Sequence, residues 1–442
     1  MPQATYHFPR GFLWGTATAA HQVEGNNTNN QWWEWEQEGH TNGKSGLACD
    51  WWGGGRWRED FDRAAEAGQN AHRLSVEWSR IQPEPERWDE DALERYRLML
   101  RGLKERGITP MVTLHHFSDP HWLYEKCGWE NGEVVPLFEK FVRKTVDALK
   151  EYCTLWCTIN EPNVYALSGY VTGSFPACNP GLNMAMQVMA NMLRAHSAAY
   201  RAIHEIQHEA RVGYSHHYRP MVPKRSWFPL DILMRNIRYN GLNMAFPSAI
   251  STGVMRTPVG KYTVPEAKGT QDYFGLNYYS QDTVWFNLRN RRELYTKAGF
   301  PEDSDMSDTN FIANLPEGLF QSIKWVAKTY PNLPILITEN GVDDADDHMR
   351  PRYLARHIHQ MWRAVNFNWP VKGYFHWTLV DNFEWERGWT QRFGLWALDV
   401  ETQQRTKRPS ADLYAEICKE NGLSSEMVQK YCPEAMDKLF PV

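Results

Sequence analysis

The sequence lacks the features that usually identify membrane, secreted and nucleic-acid-binding proteins. Among its 442 residues there is no apolar run close to the ~20 residues needed to cross a bilayer. Residues 1–14 do not show the basic segment and apolar stretch of a secretory signal. The chain has 48 basic and 53 acidic residues. The formal net charge of −5 gives no reason to expect nucleic acid or an anionic membrane as a partner. We therefore expect a globular chain with no membrane and no nucleic-acid partner.

Cysteine is scarce, and its spacing does not suggest a site. The seven cysteines are an odd number and include no Cys-x-x-Cys pair. This pattern disfavours both a disulfide framework and a zinc ribbon. A reducing cytoplasm is the location that the composition predicts.

The densest group of candidate metal ligands lies at residues 115–121 and consists of His115, His116, Asp119 and His121. Adjacent residues on a strand point to opposite faces, so His115 and His116 cannot easily bind one ion. The acidic run at 343–347 lacks the spacing of a calcium loop. We expect no metal site and no cofactor.

Linkers and low-complexity segments are also absent, which argues against separable domains. Instead, strand-like apolar runs alternate with helix-like amphipathic segments. The predicted strands are 12–16, 73–76, 110–114, 155–159, 212–214, 274–278, 335–338 and 373–379. Eight such units predict a closed parallel (β/α)8 TIM barrel with elaborated βα loops, and we expect residues 1–442 to form one catalytic domain.

The helix pattern is clearest between the second and third predicted strands. Asp91 and Glu94 have the spacing of a capping box, and Gly107 marks the end of the helix. Between them, apolar residues recur at helical spacing: Leu93, Tyr96, Leu100 and Leu103. Two further predictions are a helix at 137–152 and, within the irregular stretch 219–268, a helix near 230–243.

Two short sequence motifs each place one glutamate at the end of a predicted buried strand. Thr-Ile-Asn-Glu-Pro contains Glu161, and Ile-Thr-Glu-Asn-Gly contains Glu339. The C-terminal ends of the strands of a parallel barrel meet at one face, so we expect these carboxylates to lie opposite each other. Two facing carboxylates are what glycosidic-bond hydrolysis requires.

Polar groups also follow almost all of the remaining predicted strands. Gln22 could bridge two sugar hydroxyls, and Arg73 is a fixed cation that would keep a neighbouring carboxylate ionised. Aromatic residues are abundant, with 21 Trp and 20 Tyr, which suits a cleft that stacks on sugar rings. The remaining strand-end candidates are His116, Asn160, Asn277, Tyr279, Trp377, Glu384 and Trp385.

The ordered set of motifs resembles family 1 of the glycoside hydrolases, the retaining β-glycosidases that include β-glucosidases. The motifs are Phe-Pro at 8–9, Gln-x-Glu-Gly at 22–25, Thr-x-Asn-Glu-Pro at 158–162, Thr-Glu-Asn-Gly at 338–341 and Asp-Asn-Phe-Glu-Trp at 381–385. The resemblance covers almost the whole chain and implies a (β/α)8 barrel, in agreement with the strand count.

The resemblance also implies roles for single residues. Glu161 matches the acid/base and Glu339 the nucleophile. We expect Arg73 and a hydrogen bond from Tyr279 to lower the pKa of Glu339. The matching positions that bind the non-reducing sugar are Gln22, His116, Asn160, Glu384 and Trp385, with Trp377 as the floor beneath it and Asn277 as a further binding residue.

The chain departs from many relatives on the leaving-group side. Phe117 stands where a Trp is common, and Ile312, beside Phe311, occupies another such position. The predicted function is therefore an exo-β-glycosidase that removes terminal β-D-glucosyl residues, with β-galactosyl and β-fucosyl as further candidates, from β-linked oligosaccharides or other β-glycosides. The alternative is a sugar-binding protein on the same fold that has no catalytic activity.

Overall fold

The computed structural model describes residues 4–441, and a closed barrel of eight parallel strands lies at its centre. Each strand pairs with the next along the chain, and β8 pairs with β1. The strands are β1 Leu13–Ala17, β2 Ala71–Ser75, β3 Thr109–His115, β4 Leu155–Asn160, β5 Arg211–His217, β6 Phe274–Asn277, β7 Ile335–Asn340 and β8 Val371–Trp377. The predicted (β/α)8 barrel is confirmed.

Helices surround the barrel. The longer ones are α1 Trp57–Glu66, α2 Glu90–Glu105, α3 Val134–Leu149, α4 Leu182–Ile206, α5 Pro229–Tyr239, α6 Ala245–Thr252, α7 Pro316–Thr329, α8 Arg350–Asn366 and α9 Pro409–Glu420. Within residues 4–441, none of the helices combines the length and the apolarity that crossing a membrane would require.

Helix α2 shows how the local sequence sets an element. Its predicted apolar positions, among them Leu93 and Tyr96, are buried against the barrel, because they recur on one helix face. The predicted cap is wrong: Asp89, and not Asp91, accepts the capping hydrogen bond, from the backbone N–H of Ala92 at 2.9 Å. Asp91 instead lies within the first helical turn, where its charge suits the helix dipole.

Shorter elements elaborate the loops. Short α-helices lie at Ala20–Val23, Gln31–Gln37, Trp78–Ile81, His121–Tyr124, Pro162–Leu167, Ser425–Tyr431 and Met436–Leu439, with π-helices at Ser168–Thr172 and Asn240–Met244. The 3-10 turns are Gly128–Glu130, Pro265–Ala267, Trp385–Arg387 and Pro433–Ala435. Small sheets pair Thr5–His7 with Gly422–Ser424, Trp396–Leu398 with Arg405–Lys407, and Asp282–Phe286 with both Met221–Pro223 and Thr296–Gly299.

The stretch 219–268 is more regular than predicted. Helix α5 confirms the predicted helix near 230–243, but α6 and a hairpin of Val254–Thr257 with Gly260–Thr263 follow it. Each strand of that hairpin has only four residues, which is too short for an alternating pattern to stand out in the sequence.

One cysteine pair forms a disulfide, although the cysteine spacing disfavours a disulfide framework. Cys127, on the loop after β3, is bonded to Cys178, on the loop after β4. Cys49, Cys153, Cys157, Cys418 and Cys432 are buried thiols. The paired cysteines are 51 residues apart in sequence, and they meet because neighbouring strands deliver their loops to the same face of the barrel. Cysteine spacing alone does not predict that these two loops come close enough for a disulfide.

Candidate active site

Glu161 lies directly after β4, where the chain turns into the helix Pro162–Leu167. Its φ of +42° and ψ of 60° are left-handed, a conformation that is uncommon for a residue with a side chain. Pro162 disfavours the right-handed helical region for the residue before it. The backbone N–H of Glu161 donates to the carbonyl oxygen of Ser215 on β5 at 2.8 Å. The neighbouring strand therefore holds the turn, and the carboxyl lines the central cavity.

Glu339 lies near the end of β7 and is only 4% exposed. Its carbonyl oxygen accepts from the backbone N–H of Tyr278 at 3.0 Å. The register of β7 shifts at this point against both neighbouring strands. Gly341 follows, and a Cβ atom there would lie 2.0 Å from the carbonyl oxygen of Trp377. The final glycine of Ile-Thr-Glu-Asn-Gly is therefore required by close packing against β8.

One buried hydrogen-bond path joins the two carboxyls. Arg73, on β2, donates from Nη1 to Glu339 Oε1 at 2.5 Å and from Nη2 to Asn160 Oδ1 at 2.7 Å. Asn277 Nδ2 donates to the same Asn160 oxygen at 3.2 Å and to Glu161 Oε1 at 2.7 Å. The path crosses the barrel interior and places the cation at the Glu339 end.

Each carboxyl has one further partner. The Tyr279 hydroxyl donates to Glu339 Oε2 at 2.7 Å, and His217 Nδ1 lies 3.1 Å from Glu161 Oε1. Burial raises the pKa of Glu339 to about 7, and Glu161 adds to that rise, while Arg73 and Tyr279 oppose it. The predicted lowering effect of Arg73 and Tyr279 is confirmed, but burial has the larger effect on this pKa.

The carboxyls open into a cavity of about 300 Å³ at the C-terminal end of the barrel. Among the side chains that the sequence singles out, Gln22, Arg73 and Asn277 do not line it, but each is hydrogen-bonded to a glutamate that does. The predicted residues that line it are His116, Asn160, Glu161, Tyr279, Glu339, Trp377, Glu384 and Trp385. We call His116, Asn160, Glu161, Glu339 and Glu384 the polar end of this cavity.

Gln22 lies behind the polar end and pairs with Glu384. Gln22 Nε2 donates to Glu384 Oε2 at 3.0 Å, while Gln22 Oε1 is buried without a hydrogen-bond partner among residues 4–441. Burial raises the pKa of Glu384 to about 8, and the charges of Glu386 and Glu339 add to the effect. Near neutral pH this carboxyl is largely protonated, so it can both donate to and accept from a ligand hydroxyl.

His116 lies among flat rings. Its ring centroid is 5.8 Å from that of Trp377 and 6.0 Å from that of Trp385, and both pairs are stacked. His116 Nε2 lies 3.0 Å from Asn160 Nδ2, and its Nδ1 is buried with no partner among the described residues. Stacked aromatic faces beside an unpaired polar nitrogen suit a flat, hydroxylated ligand.

Behind His116, a second network positions Phe117. His115 points to the opposite face, as predicted, and its Nε2 lies 2.9 Å from Asp119 Oδ1. Gln31 Nε2 donates to Asp119 Oδ2 at 3.0 Å and to the Phe117 carbonyl oxygen at 2.9 Å, and Trp32 Nε1 donates to that same oxygen at 3.0 Å. These bonds hold Phe117 at a left-handed φ of +66°.

Apolar side chains also line the cavity, together with the charged Arg219, Arg238, Glu386 and Arg387. The apolar ones come from loops and short helices after several strands. We call Phe117, Leu167, Phe175, Leu242 and Ile312 the apolar wall. Phe117 and Ile312 are the two departures noted in the sequence, and the structure places both in this wall, with Phe311 also lining the cavity.

Sequence reasoning missed two residues that contact the carboxylate path. His217 approaches Glu161, and Thr338 Oγ1 donates to Asn277 Oδ1 at 2.6 Å. That second bond fixes the Asn277 amide so that its NH2 group faces Glu161. The fifth strand was predicted to end at residue 214, before His217, so a search of strand ends does not reach it. Thr338 directly precedes Glu339 in its motif, a signal that could have been used.

Comparison with known proteins agrees with this geometry. The sequence profile described as glycosyl hydrolase family 1 matches residues 4–423. Beta-glucosidase A of Thermotoga maritima is 32% identical, over 94% of this chain and 98% of that protein. The beta-galactosidase of Saccharolobus solfataricus is 28% identical, over 96% and 97% of the two chains.

Among solved structures, the beta-glycosidase from Pyrococcus horikoshii superposes with a TM-score of 0.90 at 34% identity and covers 97% of this chain and 98% of its own. The likeness therefore extends through the barrel and its loops, and includes the segments that carry both glutamates. The chain belongs to glycosyl hydrolase family 1 and is a glycosidase.

Proposed function

We propose that the protein is a retaining exo-β-glycosidase that hydrolyses terminal, non-reducing β-D-glucosyl residues. The observation that carries this proposal is the unequal surroundings of the two carboxyls. Glu339 has a guanidinium and a phenol as partners, which suit a carboxylate that attacks carbon. Glu161 has an amide and an imidazole, which suit a carboxyl that gains and loses a proton.

In the first step, Glu339 attacks the anomeric carbon while Glu161 gives its proton to the departing glycosidic oxygen. The C–O bond to the leaving group breaks, and an ester between the sugar and Glu339 forms. The negative charge of Glu339 disappears in that ester, so Glu161, now ionised, can remove a proton from water. The water oxygen then attacks the anomeric carbon and releases Glu339, with overall retention of configuration.

The polar end would hold the sugar. The unpaired Oε1 of Gln22 and the carboxyl of Glu384 would bind neighbouring hydroxyls, and Asn160, beside Glu161, would contact a further hydroxyl. Trp377 and Trp385 would stack on the apolar face of the ring. The named relatives include a beta-glucosidase and a beta-galactosidase, so β-galactosides and β-fucosides are the first substrates to compare with β-glucosides.

We also propose that residues 1–442 act as one catalytic domain, supported by a family match that runs without a break from residue 4 to 423. A cytoplasmic location stays a prediction. The disulfide between Cys127 and Cys178 counts against it, because such bonds are rare in reducing compartments.

The test is replacement of the proposed nucleophile. Glu339→Gly should lower hydrolysis of an aryl β-glucoside by at least about 10⁴-fold, because no covalent intermediate can form. The same variant should couple an α-glucosyl fluoride to an acceptor sugar, since the space left by the side chain admits a donor of inverted configuration. Glu401→Gly, at an exposed position that does not line the cavity, serves as the matched control. Undiminished hydrolysis by Glu339→Gly would refute the assignment.

The alternative of a sugar-binding protein without catalysis has no observation in its favour, because both carboxyls keep their hydrogen-bond partners. Turnover of cellobiose, lactose and aryl β-glycosides distinguishes the two. Binding without release of a free sugar would favour the alternative.

A further inference from the structure

A tyrosine on helix α8 is hydrogen-bonded to two residues beside the proposed nucleophile. Tyr353 lies in the first turn of α8 and is fully buried. Its hydroxyl donates to the carbonyl oxygen of Tyr279 at 3.0 Å and accepts from Asn340 Nδ2 at 2.9 Å. The Tyr279 phenol donates to Glu339, and Asn340 follows Glu339 in the chain. One hydroxyl group from a surrounding helix therefore reaches both neighbours of this carboxyl.

The loop after β6 is held by side chains beyond the end of its strand. β6 ends at Asn277, and Tyr279 lies two residues further along the chain. The carbonyl oxygen of Tyr278 accepts from Asn340 Nδ2 at 2.7 Å. Tyr353 binds the next carbonyl oxygen, that of Tyr279. Two consecutive peptide groups of this loop are thus fixed to β7 and α8.

The amide of Asn340 is paired at both ends. Its Nδ2 donates to Tyr278 and Tyr353, and its Oδ1 accepts from the Tyr374 hydroxyl, on β8, at 3.0 Å. All three bonds are buried. Leaving a buried polar group without its partner is costly, so these bonds hold the loop after β6, the end of β7 and the beginning of α8 together.

The Tyr353 ring is itself restrained by its own helix. It stacks on His357, one turn later on α8, with ring centroids 3.8 Å apart. His357 Nδ1 lies 2.7 Å from the Tyr353 carbonyl oxygen. Burial raises the pKa of Tyr353 well above its usual value, so the hydroxyl keeps its proton and remains a donor to Tyr279.

Tyr353 does not line the cavity, so its connection to the chemistry runs through Tyr279. The Tyr279 phenol donates to Glu339 Oε2 at 2.7 Å. A hydrogen bond to a carboxylate stabilises the charged form, and it weakens when its geometry is disturbed. A displaced Tyr279 would therefore leave the ionised Glu339 with less stabilisation.

We propose that Tyr353 is a positioning residue for Glu339: its hydroxyl fixes the backbone of Tyr279, so that the phenol stays within hydrogen-bonding distance of the carboxylate. The inference rests on the proposed function, in which Glu339 attacks the anomeric carbon and is later released from the ester. Both steps involve the ionised carboxylate that Tyr279 stabilises. Tyr353 acts through Tyr279 and contacts no reacting atom.

The first experiment removes the hydroxyl and keeps the ring. Tyr353→Phe should lower kcat for an aryl β-glucoside by about tenfold and change KM by less than about twofold. The acidic limb of kcat/KM should move to higher pH by about 0.5 units, because Glu339 then takes up a proton more readily. The other groups that interact electrostatically with Glu339 are Arg73, Glu161 and Glu384, and all three are unchanged in this variant.

Tyr414→Phe is the matched control. Tyr414, on α9, is equally buried, and its hydroxyl donates to the carbonyl oxygen of Gly15 on β1 at 2.6 Å. Both variants lose a buried hydroxyl between a helix and the barrel, so we expect melting temperatures to fall in both. Only Tyr353→Phe should lower kcat and move the acidic limb. Equal kinetic losses in the two variants would show that the effect is a general loss of stability.

The second experiment asks whether Tyr353 acts through Tyr279. In a Tyr279→Phe background there is no phenol to position, so adding Tyr353→Phe should lower kcat by less than about twofold further. A full tenfold loss in that background would overturn the proposal.

The inference and the proposed function fail in different ways. Wild-type kcat and pH dependence in a folded Tyr353→Phe variant would overturn the positioning role and leave the proposed function intact. Undiminished hydrolysis by Glu339→Gly would overturn both, because the carboxylate that Tyr353 is proposed to support would then not be the nucleophile.

Discussion

The polar end and the apolar wall of the cavity are built in different ways. The groups around the two carboxyls come from the ends of barrel strands: Arg73 from β2, Asn160 from β4 and Asn277 from β6. The apolar wall comes from loops and short helices, as with Phe117 and Leu167. Strands bonded on both sides hold atoms more tightly than loops do. We therefore expect the chemistry to depend on the strands and the choice of leaving group to depend on the loops.

The largest effect that tests this division is expected at Glu161. Glu161→Ala should slow cellobiose hydrolysis by about 10³-fold, because the leaving sugar must then depart as an alkoxide. A phenol that leaves readily needs no proton, so its hydrolysis should be slowed far less in the first step. Azide should restore turnover and give a β-glycosyl azide. Equal losses on both substrates would show that Glu161 is not the acid.

The second largest effect is expected at Arg73, which contacts both Glu339 and Asn160 in the hydrogen-bond path between the two carboxyls. Arg73→Lys keeps the charge but loses the planar fork that reaches Glu339 and Asn160 at once. We expect kcat to fall about 10²-fold with little change in KM. A variant with wild-type kcat and an unchanged melting temperature would mean that the path is only structural.

The pH dependence comes third. Burial raises the pKa of Glu339 to about 7, and because the two carboxyls interact, the proton lost near that pH belongs to the pair. Hydrolysis needs one proton on the pair, so kcat/KM should fall by about tenfold for each pH unit above about 7.

In Glu161→Ala with a phenol that leaves readily, this alkaline fall should disappear. Glu384, whose pKa burial raises to about 8, is the control: Glu384→Gln should lower activity and keep the fall. An alkaline limb that survives in Glu161→Ala would assign it to another group.

The smallest effect is expected in the apolar wall. Phe117→Trp enlarges a side chain there, and it should change the ratio of kcat/KM for aryl β-glucosides and cellobiose by less than about tenfold. Inhibition by a glucose-like transition-state mimic without an aglycone should change little, since Phe117 acts on the polar end only through ring contacts with His116 and Trp385. A loss of affinity for that mimic would show that the two parts of the cavity are not separable.

The sequence predicts the polar end well for a physical reason. In a parallel barrel the residue after each strand faces the same opening, so Glu161, Glu339 and Asn160 can be assigned from strand ends alone. His217 is not predicted as a site residue, because the predicted fifth strand ends before it. The raised pKa of Glu339 cannot be predicted from the sequence, because the depth at which it is buried depends on the whole fold. The sequence indicates only its hydrogen-bond partners.

The apolar wall is harder to predict. Phe175 belongs to a loop and Leu242 to a π-helix, and their approach depends on packing between distant segments, as the pairing of Cys127 with Cys178 also does. Neither hydrophobic periodicity nor motif spacing predicts contacts between such distant segments. The strands, by contrast, are marked by apolar runs that their own burial requires.

The path from Glu161 through Asn277, Asn160 and Arg73 to Glu339 has a consequence for protein engineering. A single arginine serves both ends, so the acidity of one carboxyl cannot be adjusted by design without disturbing the other. Directed changes of optimum pH would have to act from outside the path, through titratable groups at its margin such as Glu384. A substitution at either end of the path therefore changes the surroundings of both carboxyls.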